Sequence, residues 1–227
     1  MILLTGSSGG IGEQLLFPLS KFDEIIGTYN NKVPDNRKDF QGLFAKVDIT
    51  SIESIASFIK QHEKSLKNIT VIHCAVIKID SLLVNFKEKD WDKISDVNIK
   101  GNFLLTKALL PIMMKNNWGR IIHISSVAGS QGAVGTIPYG LSKTSLIGLS
   151  RGLAKEYAKF NITSNILDLG YFEYGLYNSL TNSIKQQLLS QIPSKKLGNI
   201  KNIVNAIHFL MESEYVNGSK INIDGGI

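Results

Sequence analysis

Short apolar runs alternate with segments of helical period along the whole chain, the pattern of a parallel sheet covered by helices on both faces. Ile2–Thr5 reads as a buried first strand, Glu24–Tyr29 as a second, Leu43–Val47 as a third and Ile69–His73 as a fourth. Arg120–Ser125, Thr163–Leu169 and Lys220–Ile223 bring the total to about seven strands. Helices are expected from Ile11 to about Lys21, with Pro18 disturbing the last turn, and after Ser51, a cap for a face of Ile52, Ile55, Ala56 and Ile59. A long helical stretch should run from about Lys89 to Met114. Pro138 should open another to about Lys159, with Leu146, Leu149, Leu153 and Tyr157 in its apolar set. Asn202–Leu210 reads as a last helix, and residues at about 171–195, without strand character, as a helical excursion over the sheet. With no repeat, low-complexity tract or linker, residues 1–227 are expected to form one doubly wound α/β domain.

Composition narrows the class. A chain of 227 residues that is 43% hydrophobic can bury a substantial core without staples, and its single cysteine, Cys74, excludes an internal disulfide framework and suits a reducing compartment. No apolar run reaches the length of a membrane span, and a first strand beginning at Ile2 leaves no room for a signal peptide, so a cytoplasmic protein is expected. The net charge of +6 is spread over every segment. A nucleic-acid binder concentrates basic residues on one stripe interleaved with aromatics, and the nearest approach here is Lys195-Lys196 with Lys201 beyond; neither a nucleic-acid nor a membrane partner is expected.

Thr5-Gly6-Ser7-Ser8-Gly9-Gly10-Ile11-Gly12 stands between the first strand and the first helix. Glycines there permit a tight turn and close approach of a pyrophosphate to the backbone, while the free N–H groups and dipole of the helix start favour phosphate. The loop makes this a Rossmann-type dinucleotide-binding pattern, with Gly6, Ser8, Gly10, Ile11 and Gly12 as candidate cofactor contacts. Strand two ends in Thr28-Tyr29-Asn30-Asn31-Lys32. A site for the unphosphorylated ribose places a carboxylate there, and that carboxylate would repel a 2′-phosphate. Its absence, with Lys32 and Arg37 nearby, favours NADP(H) over NAD(H), although the residue inside the glycine loop at position 9 is not basic.

The most specific signal lies between residues 98 and 143. Tyr139 and Lys143 stand four apart in an expected helix and so share a face; Ser126 follows the fifth strand, thirteen residues before the tyrosine. Carbonyl reduction needs hydride on carbon and a proton on the developing alkoxide. A free tyrosine, with pKa of about 10, is a poor base near neutrality. An adjacent Lys143 ammonium and an oxidised nicotinamide are expected to depress that pKa, letting Tyr139 donate in reduction and accept in oxidation, while the Ser126 hydroxyl holds and polarises the substrate oxygen. Alone, each residue has a plain structural explanation; together, in this order and behind a dinucleotide loop, they point to catalysis.

TGxxxGxG at Gly6, Gly10 and Gly12, with Asn98, Ser126 and Tyr139-xxx-Lys143, resembles the short-chain dehydrogenase/reductase family from Ile2 to Gly226. The stretch around Tyr139–Ala158 and the closing Asp224-Gly225-Gly226 look most like bacterial 3-oxoacyl-carrier-protein reductases. The resemblance implies an NAD(P)-dependent oxidoreductase acting on a small carbonyl or alcohol. It assigns Asp48, with Ile49 after it, to the adenine; Lys143 to the nicotinamide-ribose hydroxyls; and Asn98 to a water through which protons reach Lys143. It places Cys74, Ala75, Val76, Gly170 and Phe172 at the nicotinamide end, and implies a homo-oligomer, tetramer or dimer, built on the two long helices. A cofactor-binding sensor without turnover is the alternative; such proteins usually lose the tyrosine or lysine, and this chain keeps both.

Three departures from the family pattern stand out. His73-Cys74-Ala75-Val76 replaces NNAG, Leu169-Gly170 replaces Pro-Gly, and Tyr174 stands where a threonine usually touches the carboxamide. Asn117 and Phe160 occupy positions where reductases of acyl-carrier substrates carry basic residues, so weak docking of an acidic carrier is expected. Neighbouring strand residues point to opposite faces, so His73 and Cys74 make no metal pair, and His123 is expected to be a packed polar residue. Phe172, Tyr174, Leu176 and Tyr177 suggest an apolar-walled substrate pocket under an excursion at about Tyr171–Pro193.

Overall fold

The computed structural model describes residues 1–34, 40–177 and 180–227; Arg37 lies outside the described residues, as does the side chain of Leu176. Seven strands form one parallel sheet in the order β3-β2-β1-β4-β5-β6-β7: β1 (Ile2–Thr5), β2 (Ile25–Tyr29), β3 (Leu43–Lys46), β4 (Ile69–His73), β5 (Gly119–Ser126), β6 (Ile162–Leu169) and β7 (Lys220–Ile223). Parallel strands need crossovers, which put helices on both faces and leave the central strands apolar on both sides. Accordingly every residue of β1, β4 and β6 is buried. The strand order reverses between β1 and β4, where a ligand-binding crevice opens at the carboxyl ends of such sheets.

Two apolar layers sandwich the sheet. On one face Leu4, Ile72, Ile122 and Leu167 pack against α1 (Gly10–Leu19) and α8 (Ile200–Glu212) through Leu15, Leu16, Ile203 and Ile207. On the other, Leu3, Val71 and Ile121 meet α2 (Ile52–His62), α4 (Asn102–Asn116) and α6 (Ile137–Tyr157) through Ile55, Leu105, Leu109 and Leu153. Pro18 stays inside α1, where so near the end it removes little.

Helix α2 is capped as expected, the Ser51 side chain accepting from Ser54 N, and Ile52, Ile55, Ala56 and Ile59 share one face, along a groove. Ile55 and Phe58 are buried, whereas Ile52 is 64% exposed and Ala56 is also exposed. Helices α2 and α4 diverge around a groove of about 530 Å³, and Ile52 and Ala56 line that groove instead of reaching the sheet.

The long helical run is α3 (Glu88–Ser95), a π-helical turn (Asp96–Gly101) and α4 in succession. A π-turn inserts one residue into the helical path, and here it carries Asn98. After β5, α5 (Val127–Ser130) begins directly on Ser126. The excursion after β6 contains a 3₁₀ turn, Gly175–Tyr177, and α7 (Asn182–Gln191), whose N-terminus is capped by Thr181. No helix among the described residues is long and apolar enough to cross a membrane.

Candidate active site

The glycine loop closes the crevice at the point of strand reversal. Gly6 has φ +68°, and a Cβ there would lie 2.6 Å from Ala75 Cα at the exit of β4; a Cβ on Gly12 would lie 2.3 Å from Gly6 O. No side chain at these two positions is compatible with the turn. The N-cap residue Gly9 contributes no side-chain cap, so the first N–H groups of α1 face the crevice without an internal acceptor. That is a cradle for an anion, and a dinucleotide pyrophosphate fits its chemistry. Gly175, also at positive φ, lies against the same loop, its Cα 2.5 Å from where a Gly10 Cβ would stand.

Thr5, which the sequence reading passed over, organises the join. Its hydroxyl accepts from both Cys74 N and Ala75 N at 3.0 Å. Its place immediately before Gly6 was the available signal. Asn30, Asn31 and Lys32 are exposed beyond the end of β2. The Asp48 carboxylate accepts from Thr50 N at 2.9 Å and Thr50 Oγ1 at 2.7 Å, closing the turn into α2. Ile49 packs against the π-turn, where a Cβ on Gly101 would meet it at 2.8 Å.

Ser126, Tyr139, Lys143 and Asn98 are brought together by β5, α6 and the π-turn. Tyr139 and Lys143 are 6% and 5% exposed, and the lysine Nζ stands 5.7 Å from the tyrosine ring centre. Ser126 stands close enough to the Tyr139 phenol to lower its pKa, and its Oγ accepts from Ala128 N at 3.3 Å. Lys143 Nζ donates to Ile124 O at 2.7 Å, which anchors the ammonium to the end of β5.

Asn98 spends its whole amide on structure. Oδ1 accepts from Ile77 N, and Nδ2 donates to Ile77 O and to Ser142 Oγ, while Ser142 donates to Tyr139 O at 2.7 Å. The π-turn thereby ties the β4 exit loop to the helix that carries the tyrosine. Ser142 carried no sequence signal beyond its position beside Lys143.

Burial, opposed by Ser126, pushes Tyr139 up to about 12, and Cys74, Asp80 and Asp168 push in the same direction as burial. Burial pulls Lys143 down to about 8, opposed by Cys74 and Asp168. The expected depression of the tyrosine is therefore not met in the free protein, because desolvation of the phenolate outweighs the lowering by Ser126.

Just beyond β6, Gly170 cannot carry a side chain, since a Cβ would lie 2.7 Å from Asp224 Cα. Phe172 is 4% exposed, buried in the core layer beside Ile11 and Tyr174 with its ring against Gly198. It packs the floor of the excursion instead of forming an open pocket wall. Cys74, 8% exposed, belongs to the same layer, and burial raises its thiol to about 11.

His73 points to the opposite face, as strand alternation requires, and stacks on its register partner His123 with ring centres 5.0 Å apart. Ser150 Oγ donates to Ser164 O and Ser164 Oγ donates to Ser150 Oγ, so His123 Nε2 donates to Ser164 Oγ at 3.3 Å. Its Nδ1 is then a bare, buried lone pair without a partner. Burial, with Lys143 adding to it, lowers His123 to about 3; burial, then His123 and Lys143, lowers His73 well below the usual range.

A parallel sheet with this strand order, a glycine cradle at its switch point and a Ser-Tyr-Lys cluster beside it define a nucleotide-dependent oxidoreductase. The chain belongs to the short-chain dehydrogenase/reductase family: residues 25–227 match the family profile described as Enoyl-(Acyl carrier protein) reductase. It is 35% identical over 236 residues to the 3-oxoacyl-[acyl-carrier-protein] reductase FabG of Thermotoga maritima, covering 99% of this chain and 96% of that protein. To FabG of Escherichia coli K12 it is 32% identical over 233 residues, with the same coverage. A crystal structure of a putative gluconate dehydrogenase from Agrobacterium tumefaciens superposes with a TM-score of 0.92 at 22% identity, over 100% of this chain and 94% of that one, a likeness of fold. The protein is an oxidoreductase acting on a CH–OH/C=O group.

Proposed function

We propose that the protein reduces a small carbonyl substrate with NADPH, Tyr139 acting as general acid and, in the reverse direction, as general base. The observation that carries this reading is the cluster of Ser126, buried Tyr139 and buried Lys143, the lysine Nζ 5.7 Å from the tyrosine ring centre, at the switch point of the sheet. A bound reduced nicotinamide supplies the hydride that adds to the carbonyl carbon. Ser126 holds the carbonyl oxygen, the C=O electron pair moves onto that oxygen, and the Tyr139 proton follows it. Lys143 stabilises the resulting phenolate and would bind the ribose hydroxyls, and solvent returns the proton. Burial keeps the phenol protonated at neutral pH in the free protein, the state that reduction requires. Asn98 contributes by bracing α6 against the β4 exit through Ser142 and Ile77.

For the cofactor, Gly6, Ser8, Gly10, Ile11 and Gly12 would cradle the pyrophosphate, and Asp48 and Ile49 would flank the adenine. Cys74, Ala75, Val76, Gly170 and Phe172 would surround the nicotinamide side, largely through main chain. Asn30, Asn31 and Lys32 offer no carboxylate to a 2′-phosphate, which supports NADP(H) over NAD(H). We further infer that residues 1–227 work as one domain in the cytoplasm, as a tetramer or dimer whose contacts use α4 and α6. Phe103, Ile137 and Leu141 on those helices are 50%, 46% and 54% exposed, an apolar surface of the kind a second copy covers. A screen of carbonyls for loss of NADPH absorbance, repeated with Tyr139→Phe, tests the reading; turnover unaffected by that substitution sinks it.

A further inference from the structure

Asp168 is an ionisable residue in a wholly buried strand of the sheet, and nothing in the reaction above uses it. It is 2% exposed and stands in register between Ser125 of β5 and Asn222 of β7. An isolated carboxylate at such a depth is costly unless paired and hydrogen-bonded. Its Oδ2 accepts from Lys220 Nζ at 2.7 Å and from Ser130 Oγ at 3.2 Å.

Ser130 is the last residue of α5, and the first turn of α5 is capped by the Ser126 hydroxyl. The other side of α5 is wedged against α6. A Cβ on Gly140 would lie 2.7 Å from Ala128 O, a Cβ on Gly129 would lie 3.1 Å from Lys143 Cβ, and Thr144 Oγ1 donates to Gly129 O at 2.7 Å. Asp168 therefore grips Ser130 at the far end of α5, whose N-cap is Ser126. It also stands in register with Ser125, next to the Ile124 carbonyl that holds Lys143 Nζ, and its charge acts on both Tyr139 and Lys143.

We propose that Asp168 is a positioning residue of the active centre: through Ser130 it sets where Ser126 stands, and as a buried negative charge it balances the Lys143 ammonium. The proposal rests on the catalytic reading of Ser126, Tyr139 and Lys143. Lys220, with 32% of its side chain exposed, moderates the carboxylate from the solvent side. Lys143 also faces Cys74 at the β4 exit and the His73–His123 pair, and Tyr139 faces Cys74 and Asp80; none of these is altered in the test.

Asp168→Asn and Lys220→Gln in the full chain perturb the charge on Lys143 in opposite senses. Titration of the free protein by ¹³C NMR of Cε-labelled lysine, with the Lys143 signal assigned by Lys143→Arg, reads the effect without substrate or cofactor. Asp168→Asn should lower the Lys143 midpoint by on the order of one pH unit, and Lys220→Gln should raise it. The alkaline limb of kcat against pH, for a carbonyl found by the screen, should move the same way in each variant. Asp168→Asn should also lower kcat more than it raises KM. A structural ion pair would make the two variants alike, so shifts of equal sign, or no shift, overturn the proposal. If Asp168→Asn does not fold, the Lys220→Gln arm decides alone. Near-normal turnover of Tyr139→Phe would overturn the catalytic reading while leaving the opposed Lys143 shifts in place, so the two failures are distinguishable.

Discussion

Acidification from pH 7 to pH 5 should destabilise this protein strongly through two buried histidines. In the unfolded chain a histidine titrates near 6.5 and takes up a proton across this interval. In the folded protein His123 remains neutral down to about 3, and His73 is depressed in the same direction. The unfolded state therefore binds more protons below pH 6.5, and stability falls with pH from that point until the folded histidines titrate. At about 1.4 kcal/mol per pH unit below the unfolded pKa, the loss by pH 5 is about 2 kcal/mol per histidine and about 4 for the pair. Against a total of roughly 5–15 kcal/mol, that is a large fraction. Tyr139 and Lys143 are shifted at about 12 and about 8, above this window, and do not contribute to the slope.

Urea melts at pH 7, 6 and 5 measure the effect directly. His123→Gln keeps a donor near the Nε2 position, facing Ser164, but does not titrate. It should lower stability at every pH while removing about half of the pH dependence, with the remainder following His73. A wild-type stability that is flat between pH 7 and 5, or an unchanged slope in His123→Gln, would refute the assignment of buried neutral histidines.

Three further outcomes are expected. Tyr139→Phe should cut turnover on the order of a hundred- to ten-thousand-fold with little change in NADPH affinity, Ser126→Ala should lower the rate with affinity preserved, and Lys143→Ala should weaken both, as steady-state kinetics and fluorescence titration would show. Asn30→Asp should shift preference toward NADH by placing a carboxylate at the end of β2, and tighter NADH than NADPH binding by the unaltered protein would contradict the cofactor assignment. Acyl-carrier substrates should show no large, salt-sensitive advantage over small ketones, since Asn117 and Phe160 present no charge to an acidic partner; competition assays at low and high ionic strength decide it.

Strand periodicity, the Gly6–Gly12 loop and the Tyr139/Lys143 spacing were legible because each is local. Alternation, helical period and turn chemistry are written in neighbouring residues, so all seven strands were placed to within a residue or two. How deeply the apolar face of α2 is buried was not legible, because that depends on where its neighbour lies, and α4 stands off across a groove. The π-turn at Asn98 was also unreadable, since an extra residue in a helical path is a response to tertiary contacts with Ile77 and Ser142.

The sequence by itself determined the doubly wound sheet and placed the glycine loop and the proposed Ser126, Tyr139, Lys143 and Asn98 set along it. Only the tertiary structure decided the charge states and the supports of that set. Tyr139 looked poised for a lowered pKa from its sequence neighbour Lys143, yet burial beneath the sheet end reverses the direction. Asp168 looked like an unremarked acid within a strand, and His73 and His123 like unrelated core residues fifty positions apart. Parallel pairing of β4 with β5 and of β5 with β6 puts those histidines ring on ring and brings Asp168 alongside Ser125, next to the Ser126 turn. Such couplings arise from electrostatics in a medium of low dielectric, whose strength depends on distance and desolvation and not on separation along the chain.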